Sequence, residues 1–94
     1  MFTSINPYNQ QPLKTYRVDS AAQLEHKLTR ADHAFTDWSA LPLADRTQHL
    51  RNVGDYLLAH KQDLGDLITA EMGKTLAEAV SEVEKCATTC TFYA

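Results

Sequence analysis

Ninety-four residues, 44 % of them apolar and 22 % charged, suffice for one small domain or a piece of a larger one. A net charge of −3 provides no positive field for nucleic acid or an anionic membrane surface, and no apolar run approaches the length of a membrane span. Residues 1–11 lack the basic and apolar regions of a secretory leader, and two cysteines make no disulfide framework, so the cytoplasm is the expected compartment.

The first eighteen residues read as a β-hairpin. Thr3-Ser4-Ile5 and the stretch from Leu13 to Val18 have strand composition, and Asn6-Pro7-Tyr8-Asn9 between them has turn chemistry. Pro12 adds a second break. Residues 19–94 read as four helices. The first is expected over residues 20–37, opened by the capping box Ser20/Gln23, with Leu24, Leu28, Ala31 and Phe35 as its apolar stripe. Residues 38–42 are expected to be a linker holding a buried Trp38.

Pro42 suits a helix start, and residues 43–60 carry the stripe Leu50, Val53, Leu57 and Leu58. Gly54 inside that helix marks a close helix crossing, whereas Gly65 in the next simply weakens it. The apolar phase changes near His60, and a shorter helix carries Leu64, Leu67, Ile68 and Met72. Gly73 is a natural left-handed stop, and Thr75 with Glu78 is a capping box for the last helix. That helix bears a seam of Leu76, Val80, Val83, Ala87 and Cys90. It runs into Thr91-Phe92-Tyr93-Ala94 with no stop signal, which predicts that the polypeptide continues beyond 94.

Candidate chemistry is sparse. Cys86 and Cys90 stand four apart without the spacing of a zinc site or a base to activate a thiolate, so a core residue at 90 and its edge neighbour at 86 are expected. The four histidines form no ligand pair. Three scattered glycines cannot build a phosphate-cradling loop. Glu71 and Lys74 flank Gly73, a carboxylate and an ammonium at one helix corner.

Taken together, the pieces resemble the N-terminal part of the NAD(P)-dependent aldehyde dehydrogenases. The resemblance is carried by Ile5-Asn6-Pro7, by Ala34-Phe35 with Trp38, and by Leu43-Ala44-Asp45-Arg46. It continues through Glu71-Met72-Gly73-Lys74, Glu78-Ala79 and Glu82-Val83, in family order from Ile5 to Ala94. Glu71-Met72-Gly73-Lys74, the run from Glu82 to Ala87 and the closing Phe92-Tyr93-Ala94 are most similar to the succinate-semialdehyde dehydrogenase branch.

The resemblance implies a parent of α/β fold with a Rossmann-like coenzyme domain, a catalytic domain and an oligomerisation arm. Residues 19–94 would be an incomplete helical layer of the coenzyme-binding domain, and the parent a homo-oligomer. In such enzymes a cysteine thiolate attacks the aldehyde, hydride passes to NAD or NADP, and a glutamate-activated water releases the acid. The residues for those steps lie downstream in the family, so no catalytic or coenzyme-binding residue is carried over, and Cys86 and Cys90 do not match the nucleophile motif. Thr75 stands where the family often has proline. One site does carry over. In several members a monovalent cation, Na+ or K+, sits between two strand carbonyls and a carboxylate, here Ser4, Ile5 and Glu71. Other members have aspartate at the last position, one methylene shorter than glutamate.

The competing expectation is a free-standing α-helical interaction module that docks a partner through Phe92, Tyr93 and the last seam. A helix-turn-helix DNA binder is disfavoured by the acidic balance.

Overall fold

A computed structural model describes residues 1–94. Strands β1 (Phe2–Ile5) and β2 (Pro12–Tyr16) are followed by helices α1 (Ala21–Ala40), α2 (Leu43–Ala59), α3 (Lys61–Met72) and α4 (Leu76–Tyr93). This is the expected mainly helical chain with an N-terminal hairpin. The strands pair antiparallel, Phe2 with Tyr16 and Ser4 with Lys14, with the register shifting between Ser4 and Ile5. Pro12 opens β2 instead of breaking the chain before it, because the first residue of an edge strand can do without an N–H.

The helix ends follow local chemistry. Ser20 caps α1, its hydroxyl accepting from the Gln23 N–H while the Gln23 side chain accepts from the Ser20 N–H. Thr75 caps α4 by accepting from the Glu78 N–H at 3.3 Å; the reciprocal half of the expected box is not made. Gly73 closes α3 at φ 73°, the left-handed conformation that glycine adopts without steric cost. Between α2 and α3 a single residue, His60, is the cap of both, where the phase change was expected. Its ring stacks on Tyr56 with centroids 3.9 Å apart, and its Nδ1 lies 2.9 Å from the Tyr56 carbonyl oxygen.

Helix α4 runs back along α3 and then α2. Gly65 of α3 meets Val80, and Gly54 of α2 meets Ala87 and Cys90. Lys61 pairs with Glu84, and the Arg51 guanidinium donates to the Ala94 carbonyl at 3.2 Å. Positions step down in α3 and α2 as they step up in α4, the signature of an antiparallel pair. The core is a short stripe of α4, Ala79, Val83 and Ala87, joined by the two glycines of the facing helices. Small residues on both sides let the backbones approach, and the hydrophobic gain comes from the few large side chains at the margins.

Besides Pro12 and the Thr75 box, the structure departs from expectation at Trp38 and along the α4 seam. Trp38 is not in a linker: α1 continues to Ala40, and the indole is 41 % exposed, 5.3 Å from the His49 ring. The α1 stripe Leu24, Leu28 and Phe35 is exposed, because no other element of these residues packs along it. In α4 the fully buried residue is Ala79, which the seam omitted, while Leu76 at its start is exposed. The chain forms a slab of 47 × 37 × 15 Å with a radius of gyration of 17.2 Å. A self-contained domain of this length would have about 12 Å.

Candidate functional site

Two features converge on the α3–α4 corner. The last turn of α3 presents Glu71, half-buried, towards the hairpin. There the Ser4 hydroxyl of β1 donates to Glu71 Oε2 at 2.5 Å. Two residues on, Gly73 faces Pro7: a Cβ at Gly73 would stand 3.0 Å from Pro7 Cγ. The hairpin turn itself is held by Asn6, whose side-chain oxygen accepts from the Tyr8 N–H and whose carbonyl accepts from the Gln10 N–H. Gln10 takes a positive φ of 62° to complete it.

Of the three residues expected around a cation, Ser4 and Glu71 come together, and Ile5 follows Ser4 at the end of β1 across the register shift. A carboxylate, a hydroxyl and strand carbonyls are hard oxygen donors, which suits a hard cation. Glutamate at 71 reaches β1 despite its extra methylene. Sequence reasoning used only the carbonyl of Ser4 and missed its hydroxyl. The available signal was strand alternation, which turns Ser4 away from the face on which Thr3 and Thr15 meet.

Lys74 does not pair with Glu71. Its ammonium lies 3.6 Å from Glu82, an exposed pair worth little. No group of three His, Cys, Asp or Glu side chains is placed to hold a metal. Cys86 is exposed and Cys90 half-buried on the α2 contact. Gly54 and Gly65 serve helix crossings and Gly73 the corner, so none of the three glycines is free to cradle a pyrophosphate.

The aldehyde dehydrogenase family model matches residues 1–94. The chain belongs to the aldehyde dehydrogenase family. It is 38 % identical over 91 residues to a probable NADP(+) succinate-semialdehyde dehydrogenase of Synechocystis, covering 97 % of this chain and 20 % of that protein. It is 34 % identical over 92 residues to the NADP(+) succinate-semialdehyde dehydrogenase of Deinococcus radiodurans, covering 98 % of this chain and 19 % of the relative. It is 49 % identical over 61 residues to the mitochondrial succinate-semialdehyde dehydrogenase of Arabidopsis thaliana, covering 65 % and 12 %. The chain thus spans about a fifth of the length of the first two relatives and corresponds to the N-terminal part of an aldehyde dehydrogenase.

Proposed function

We propose that this chain is the N-terminal part of an NAD(P)-dependent dehydrogenase that oxidises succinate semialdehyde to succinate. The family match over 1–94, with succinate-semialdehyde dehydrogenases among its relatives, carries the reading. The reaction takes an aldehyde, water and NAD(P)+ to the carboxylate, NAD(P)H and two protons. The thiol, the base and the coenzyme pocket belong to the rest of the parent polypeptide, and these 94 residues supply scaffold.

Residues 19–94 act as a helical layer of the coenzyme-binding domain, whose Rossmann-like sheet would cover the exposed stripe of α1. The slab shape supports this over a free-standing module, since five buried residues are too few to hold an independent fold. We assign the parent to the cytoplasm and to a homo-oligomeric assembly. No helix here is long and apolar enough to cross a membrane.

A monovalent cation, Na+ or K+, is held at the corner by the strand carbonyls of Ser4 and Ile5 and by the Glu71 carboxylate. The support is the meeting of Glu71 with β1. The cation ties two segments far apart in sequence and takes no part in the chemistry.

The deciding experiment is to express the parent polypeptide and follow coenzyme reduction with succinate semialdehyde and with other aldehydes. Faster turnover of succinate semialdehyde supports the reading. Preference for another semialdehyde retains the family and removes the substrate. A native species of only 10.6 kDa with no aldehyde oxidation removes the dehydrogenase reading altogether.

A further inference from the structure

The hairpin has few means of staying in place. Every residue of β1 and β2 is exposed except Ser4, which is half-buried. A two-stranded hairpin on its own is marginal in water. Ser4 is also the residue whose hydroxyl meets Glu71, 67 positions away in sequence.

We infer that the Ser4 hydroxyl is a positioning donor, and that the Ser4–Glu71 bond latches the hairpin to the α3–α4 corner whether or not a cation is bound. The cation reading uses the carbonyl of Ser4; the latch uses its side chain and does not rest on that reading. A hydroxyl has one proton to give, and Glu71 Oε2 receives it, leaving Oε1 open to another partner. A hydrogen bond to an ionised acceptor, partly shielded from water, is stronger than a neutral one. Pro7 against Gly73 is the second point of attachment. Two points, one polar and one apolar, stop the hairpin from pivoting about either.

The test is hydrogen-exchange mass spectrometry on the parent enzyme, reading amides of residues 2–16. It is run in choline chloride and, at equal ionic strength, in sodium or potassium chloride. The variants are Ser4→Ala, Glu71→Met, the double variant and Ser4→Thr. In choline chloride, Ser4→Ala and Glu71→Met each speed hairpin exchange roughly tenfold or more. The double variant goes no further than either single, and Ser4→Thr, which keeps the hydroxyl, restores protection. Unchanged exchange in Ser4→Ala in choline chloride overturns the inference, as does a double variant showing the product of the two single effects. The cation reading is answered by other data. It requires sodium or potassium to add protection to the parent enzyme that Glu71→Met abolishes, and its failure leaves the choline result intact.

Discussion

Gly65 of α3 lies so close to Val80 of α4 that a Cβ on the glycine would stand 2.7 Å from Val80 Cγ2 and 3.3 Å from the Val80 backbone nitrogen. Part of that contact is with backbone, which cannot swing aside. A mid-helix glycine ordinarily costs about 1 kcal/mol relative to alanine. Here the missing Cβ is what lets α3 and α4 touch.

Gly65→Ala is therefore expected to destabilise the parent enzyme despite better helix propensity. Overpacking costs about 1–3 kcal/mol, and the propensity gain offsets about 1 of it. Urea unfolding should show a lower midpoint at unchanged slope. A raised midpoint would mean that the crossing relaxes freely.

Gly54→Ala should be milder. The nearest atom to its added Cβ is Cys90 Cβ at 3.2 Å, then the Ala87 carbonyl oxygen at 3.4 Å. A shift of a few tenths of an ångström accommodates it, so the propensity gain and the crowding nearly cancel, to within about 1 kcal/mol. Gly54→Val, which adds two methyl groups at the same crossing, should lower the midpoint clearly. Equal midpoints for the two variants would contradict the packing seen here.

Gly73→Ala pays twice, once for holding a Cβ at φ 73° and once for pressing on Pro7. The expected loss is about 1–2 kcal/mol. Pro7→Ala should recover the second part only, so the two substitutions should be non-additive in a double-mutant cycle. Strict additivity would show that Pro7 does not touch the corner.

Thr75→Ala removes the cap of α4 and should cost about 1 kcal/mol, with Thr75→Ser close to neutral. Amide exchange at the start of α4 should rise in the alanine variant before any change elsewhere. Uniform change across the chain would argue against a local capping effect.

The exposed stripe of α1 yields a prediction from the proposed layer. Phe35→Asp changes a side chain that touches little in these residues, yet in the parent enzyme it should lower soluble yield and thermal stability sharply, by about 3 kcal/mol or more. Asp32→Asn on the same helix is the control and should change little. A neutral Phe35→Asp would mean that nothing covers α1.

Much of the fold was legible because its signals are local. The Ser20/Gln23 box, the glycine at 73, the proline at 42 and the phase break at His60 each act within a few residues, and each marks an element boundary in the structure. The end of α1 was not legible. Trp38 and Ser39 have no strong reason to leave a helix, and the stop comes only with Leu41 before Pro42. At the site, the residue types were legible and the contact was not. Glu71 and Ser4 are far apart in sequence, and no local pattern says that a serine hydroxyl will face a glutamate.

By itself, then, the sequence determined the element order, the caps and the family, because capping, turn chemistry and apolar period depend on neighbours along the chain. Only the tertiary structure decided which apolar stripes are covered within these residues. It made Gly65 a contact point instead of a weak spot, and it brought the Ser4 hydroxyl to Glu71. Those outcomes depend on how closely whole helices approach and where the hairpin lies on them, which no single stretch of chain encodes.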